Sequence, residues 1–564
     1  MKILIEGQKY LISVLETILD DPKFYIQKGI EGKISSVGYY HSFEKNELVY
    51  MLPKVFMKDK DETVFGISKD VLFDFESNES YKHKLEFIWI RQLLIFFYNS
   101  LKEYKRRYSD NIIIETSHNF ELNTNLGNNE YTYLDLLLSF VNFFKKNKNT
   151  ILFKHIEFKS NLAKKPTWGK TVKKSLPFLD AANAPIYAEI RNKKKILNKE
   201  EELIIYFFSI LNHFNKEHEL CLKIDSSYVL IKGNAFVNLQ KSGLSKLRKI
   251  KHRYFSDILK RMYSLCELYF EKTDASSKKR KKEEFISVKN YNIIFEDMID
   301  KLFSDNFDEK KEIDKIQVSL DDLKYNNDGK IIDHVYSGQS LIDTSNIFYI
   351  GDSKYYESNS EAGKLSKYKQ FTYAKNVIQF NIDFLNEGKV YKENIRYRDE
   401  ITEGYNLTPN FFIYGYIENV NDFDDSRLIP KNEVPIKSFH FEDRLFDRDT
   451  LFVQQYKINF LFVLKSYSTF NEKKTAQFRH KTKNDFRKEF IDFFNDAIKL
   501  GFEIFEKEIT KEEAKELIDS NFKLLIGKCF FTVDNILLIA KIKGDNTIES
   551  FIAENLFKLK KLSL

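Results

Sequence analysis

The chain has 564 residues, 43% hydrophobic and 15% aromatic, which is enough for more than one buried core and excludes a single small module. Its 90 Lys and Arg against 83 Asp and Glu leave a formal charge of +7, so composition permits a nucleic-acid partner without requiring one. Cys221, Cys266 and Cys529 lie far apart with no C-x-x-C or Cys/His spacing, which excludes a disulfide scaffold and a structural zinc site and indicates a reducing compartment.

The N-terminal MKILIEGQKYLISVL carries Glu6 inside its apolar part and no small-residue cleavage site, and no uncharged apolar run of about 18 residues occurs. A cytoplasmic protein without a membrane partner is expected. Alternation in SSVGYYHSF and ELVYMLPKVFM predicts strands, and KLEFIWIRQLLIFFYNSLKEYKRRY predicts a long amphipathic helix. Residues 1–115 are therefore expected to form a small β-rich domain plus a helix. Within 116–275, YTYLDLLLSFVNFFKKN reads as a helix, PTWGKTVKKSLPFL as a loop or turn, APIYAEIRNKK as a strand and KEEELIIYFFSILNHF as a helix, which together predict a mixed middle domain. SSKKRKKEE marks a basic linker over 276–285, a solvated connector or an arm that contacts DNA phosphates.

Beyond it the order is helix NYNIIFEDMIDKLF, strand KIIDHVYS, strand NIFYIGDSKYY, helix 361–387 and strand PNFFIYGYIEN. Strands this continuously apolar belong in the middle of a helix-covered sheet, which predicts an α/β core over 286–470, followed by a C-terminal α/β extension over 471–564. The whole is expected to be a multidomain protein of the α/β and α+β classes.

Chemistry concentrates in that core. Residues i and i+2 of a strand share a face, so Asp352 and Lys354 point the same way; alone, such a pair is an ordinary surface ion pair. Asp333 interrupts an apolar strand, which is costly unless a cation or donor meets it. If the two strands pair, Asp333 and Asp352 converge on one hard divalent cation, Mg²⁺ or Mn²⁺, with Lys354 beside them. Glu296 of the preceding helix is a further metal or nearby carboxylate candidate, and Gln370 and Tyr373 are expected on one face of the following helix, toward substrate. No G-x-x-x-x-G-K-[ST] occurs, so the chain is not expected to hydrolyse nucleoside triphosphates by itself.

Asp333, then Asp352-Ser353-Lys354, with Glu296 before and Gln370/Tyr373 after, resembles the PD-(D/E)xK nuclease core, although Asp333 follows Ile332 and not proline. The GDSKYY form, with VGYYHSFEKNELVYMLPKVFM, PTWGKTVKKSLPFL, PIYAEI, PNFFIYGYI and DRLFDRDTLFVQQYKINFLFVL, is similar to the McrC-like nuclease subunits of McrBC-type and LlaJI-type restriction systems. The resemblance implies Mg²⁺-dependent hydrolysis of double-stranded DNA in antiviral defence. It also implies an McrB-like AAA+ GTPase partner, docked by the first two domains and stimulated by this chain, and DNA methyltransferases encoded nearby in a LlaJI-like system. Two other readings are a motor-activating subunit that binds without cleaving, and a stand-alone restriction nuclease; the complete Asp/Asp/Lys set disfavours the first, and the absence of a helix-turn-helix or zinc-finger pattern disfavours the second.

Overall fold

The computed structural model describes residues 2–42, 45, 47–57, 63–64, 67–73, 88–108, 114–116, 133–147, 153–159, 166–197, 201–217, 222–226, 228–273, 283–304, 324, 331–356, 363–386, 395–419, 422–469 and 471–563. Internal contacts divide the chain into two compact units, one made of 40–47 and 116–285, the other of 2–39, 48–115 and 286–564. The architecture is mixed α/β with several sheets.

In the first unit, helices Tyr133–Asn147, Glu202–Glu217, Asn234–Ile250 and Asp257–Thr273 bury apolar stripes against one another. Phe140 stacks on Phe207 with ring centroids 4.9 Å apart, and Tyr269 closes edge-on against Phe214 at 5.5 Å. Gly243 lets the last two helices approach: a Cβ there would stand 2.4 Å from the Phe270 ring. Two expectations are corrected here. PTWGKTVKKSLPFL holds a helix at Trp168–Lys174, set between Pro166 and Pro177, neither of which can sit in its interior. The strand expected over APIYAEIRNKK is split: Pro185–Ile186 is a two-residue strand, and Arg191–Lys194 open the long strand Arg191–Leu197, paired antiparallel with Phe153–Lys159. Pairing with a distant segment, not local pattern, selects that strand. Of the expected linker, 276–282 lie outside the described residues, while Glu283–Phe285 already belong to strand Glu283–Val288.

In the second unit, strand Lys2–Ile5 runs parallel to Val49–Leu52, and Lys9–Leu11, Glu31–Ile34 and Tyr25–Lys28 form an antiparallel three-stranded sheet. Helix Ile88–Arg107 follows. Then come α1 (Tyr291–Phe303), β1 (His334–Gln339), β2 (Asn346–Lys354), α2 (Lys364–Asn386), β3 (Pro409–Tyr416), β4 (Leu428–Pro430), β5 (Ile436–Ser438), β6 (Leu451–Asn459), α3 (Phe460–Ser468) and α4 (Glu472–Phe494). The sheet order is β1-β2-β3-β6-β4, with β5 also on β6; β2, β3 and β6 are mutually parallel and the others antiparallel to their neighbours.

The parallel strands are buried almost throughout because helices cover both faces. Phe411 of β3 packs on Phe303 of α1 and Phe486 of α4, at 6.5 and 4.9 Å, on one face. Gln370 of α2 reaches the other face, where Ile350 and Asn410 are register partners. Past α4, a four-stranded antiparallel sheet made of Phe502–Glu508, Cys529–Phe531, Ile536–Ile542 and Lys558–Leu559 packs against helices Lys511–Leu525 and Asn546–Glu554.

Candidate active site

The apolar run of β2 ends in Gly351-Asp352-Ser353-Lys354 at the heart of the sheet. Antiparallel pairing ends with His334 opposite Gly351, which leaves Asp333 just outside the ladder, near Asp352. The strand expected over KIIDHVYS starts later, at His334, and Asp333 occupies the bend just before β1, where its Oδ2 accepts the Ser353 amide at 3.3 Å. A carboxylate there finds a donor that a position inside the apolar strand would deny it.

Asp352 and Lys354 are both buried, and the Lys354 ammonium donates to the Asp352 carboxylate while lying 4.8 Å over the Phe412 ring. Glu296 approaches from α1, its Oε1 accepting from Asn292 Nδ2 at 3.3 Å. Burial pushes the Asp333 carboxyl well above the usual range, reinforced by the Asp352 and Glu296 charges and opposed by Lys354. Burial also raises Glu296, with Asp352 adding to the effect and Asn292 and Lys354 opposing it. Three carboxylates thus share one ammonium in a desolvated place.

Gln370 and Tyr373 stand differently. Gln370 is fully buried, and its Nε2 donates to the Ile350 carbonyl at 3.1 Å and to Asn410 Oδ1 at 3.5 Å, while its Oε1 has no hydrogen-bond partner among the described residues. It binds the strand that carries Asp352 and does not reach the carboxylates. Tyr373, three residues on, is half-buried.

Other residues of the site escaped sequence reasoning. Ser353 Oγ lies 2.5 Å from Nε2 of the fully buried His334, whose Nδ1 lies 3.4 Å from Asp300 Oδ1. Burial alone raises Asp300, but the His334 bond and the Lys324 ammonium at 2.7 Å win and hold it below the usual carboxylate range. This chain ties α1, β1 and β2 together behind the carboxylates. Its only signal in the sequence is adjacency: His334 follows Asp333, and Ser353 separates Asp352 from Lys354. The Tyr355 hydroxyl donates to Glu6, which explains the acid inside the apolar N-terminal segment.

Among the described residues no group of three or more His, Cys, Asp or Glu side chains already encloses a metal position. Asp333, Asp352 and Glu296, whose charges act on one another, offer only oxygen donors, the chemistry a hard divalent cation takes. No helix among the described residues is long and apolar enough to cross a membrane. No family model, curated protein or solved structure matches the chain.

Proposed function

We propose that the chain is a metal-dependent DNA endonuclease, the McrC-like subunit of a McrBC-type or LlaJI-type restriction system, with a PD-(D/E)xK core in 286–470. One observation carries this reading: Asp333, in the bend before β1, accepts the amide of Ser353, the residue between Asp352 and Lys354, while the Lys354 ammonium donates to Asp352. A surface ion pair is not a competitor, because Asp352 and Lys354 are both buried.

Mg²⁺ or Mn²⁺, held by Asp333 and Asp352 with Glu296 close by, would supply charge neutralisation at phosphorus and lower the pKa of an attacking water. Lys354, fixed by Asp352 and Phe412, presents N–H donors to the negative charge that develops on the phosphate. Glu296, fixed by Asn292, is the carboxylate that accepts a hydrogen bond from the water. Gln370 holds β2 in place, a positioning role, and Tyr373 is left as the substrate-facing group of α2. The partners belonging to this reading are double-stranded DNA and an McrB-like AAA+ GTPase, which this chain stimulates through its first two domains.

The test is metal binding read apart from cleavage. Mn²⁺ titrated into the full chain and followed by electron paramagnetic resonance should show a site that Asp333→Asn weakens at least tenfold and Mg²⁺ displaces. Equal Mn²⁺ affinity in the parent and Asp333→Asn removes these carboxylates from the reading.

A further inference from the structure

A second charged feature lies beside the strand that carries Lys354. Glu6, Ile26, Lys28, Lys33, Lys54 and Tyr356 are among the residues lining a cavity of about 480 Å³. Ile26, Lys28 and Lys33 are exposed, so the cavity opens to solvent. In the hairpin, Ile26 and Lys28 alternate along one strand and Lys33 is the register partner of Ile26, so all three share one face. Lys28 and Lys33 form no salt bridge with any described residue. Glu6, the one acid among the described lining residues, is occupied inward, because its Oε2 accepts from the Tyr355 hydroxyl and from the Lys54 amide at 3.3 Å. The Lys54 ammonium rests 4.8 Å over the Tyr355 ring.

The cavity is joined to the candidate active site by covalent sequence. Tyr356 follows Lys354 by two residues, a Cα separation of at most about 7 Å. Its ring packs 6.3 Å from that of Tyr414, which is the register partner of Lys354. A cavity with three lysines, an aromatic face and one exposed isoleucine combines what a nucleic-acid strand needs: point charges for phosphates and flat or apolar surface for base and sugar.

We propose that this cavity binds backbone phosphates of the DNA strand being cut, a few nucleotides from the scissile bond, with Lys28 and Lys33 as the principal contacts and Tyr356 as the surface for the adjoining nucleotide. The inference rests on the nuclease reading, so its test is separated from cleavage by working without divalent cation.

The full chain is titrated with a fluorescein-labelled duplex in EDTA at several salt concentrations, and log Kobs is plotted against log[salt]. Lys28→Gln/Lys33→Gln should reduce the slope by about 1.8, the loss of two phosphate contacts at about 0.9 each, and Lys28→Arg/Lys33→Arg should retain it. An unchanged slope in the Gln variant, or no salt-dependent binding by the parent, overturns the proposal even if metal-dependent cleavage is found. A lysine-dependent slope in a protein that never cleaves keeps the contact and removes the nuclease reading instead. A parallel titration with inorganic phosphate at constant ionic strength separates the two sources of phosphate. Micromolar phosphate binding abolished by the Gln variant, with its DNA slope unchanged, would assign the cavity to a free anion and overturn the DNA contact.

Discussion

Gly351→Ala probes the point at which the sheet's packing and the candidate site meet. A Cβ at Gly351 would stand 2.0, 2.3 and 2.7 Å from Cε2, Cζ and Cδ2 of Phe411, its register partner on β3. Ordinary carbon contacts lie at about 3.5–4.0 Å, so the ring or the strand must yield by about 1.5 Å. Phe411 has nowhere to go: it is fully buried, 4.9 Å from Phe486, 6.0 Å from Tyr336 and 6.5 Å from Phe303. Overpacking of this kind costs about 1–3 kcal/mol. If β2 yields instead of the ring, Asp352 moves with it, and a displacement near 1 Å at a reacting centre is worth about 10²-fold in rate. Urea unfolding followed by circular dichroism should show the lower midpoint, and Phe411→Leu should relieve the penalty, giving an interaction energy of about 1–2 kcal/mol in a double-mutant cycle. Superimposable unfolding curves for the parent and Gly351→Ala would refute the reasoning, as would a penalty that Phe411→Leu leaves untouched.

Asp297 anchors α1: Arg107 Nη1 lies 2.7 Å from both of its oxygens, Tyr108 donates at 2.8 Å, and Tyr467 donates as well. Asp297→Ala should therefore destabilise by about 3–5 kcal/mol, and Tyr467→Phe by about 1.5–3 kcal/mol, in urea titrations; equal small losses would contradict a shared network. Bonds from Arg106 first, and then from Lys301, hold the Glu103 carboxyl down to about 2, well below its ordinary 4.5, with burial opposing them. A depressed carboxyl stabilises fully above its unfolded pKa and loses that contribution as pH falls through its folded pKa. Glu103→Gln should therefore remove about 1 kcal/mol of acid sensitivity between pH 4.5 and 2, Arg106 being too exposed for more; an unaltered acid limb in thermal melts counts against it. For the metal, Mg²⁺ and Mn²⁺ should support cleavage and Ca²⁺ should bind without supporting it, read on plasmid gels; cleavage that survives thorough chelation removes metal from the mechanism.

Continuous apolar runs made β2, β3 and the helix over Tyr291–Phe303 legible in the sequence, because strands buried on both faces and amphipathic helices leave local patterns. The same-face placement of Asp352 and Lys354 was legible for a similar reason, since a period of 2 is local. The bend at Asp333 was not: the strand's true start at His334 depends on register with Gly351, a long-range fact. Gln370 looked like a cleft residue because helical spacing says which residues share a face, not whether that face meets solvent or a sheet. The Asp300–His334–Ser353 chain and the Tyr355–Glu6 bond join residues 19 to 349 positions apart, and no spacing rule connects them. The strand at Arg191–Leu197 was misplaced for the same reason, pairing with Phe153–Lys159 overriding weak local preference, whereas the helix at Trp168–Lys174 is too short to leave a clear period.

The most direct test of the central claim is cleavage of supercoiled plasmid by the full chain with the proposed McrB-like AAA+ GTPase, GTP and Mg²⁺, comparing the parent with Asp352→Ala and Lys354→Ala. The account predicts linear or nicked product from the parent only, while both variants keep the parent's circular-dichroism spectrum and still stimulate GTP hydrolysis by the motor. Mg²⁺-dependent product from Asp352→Ala at the parent's rate would contradict it.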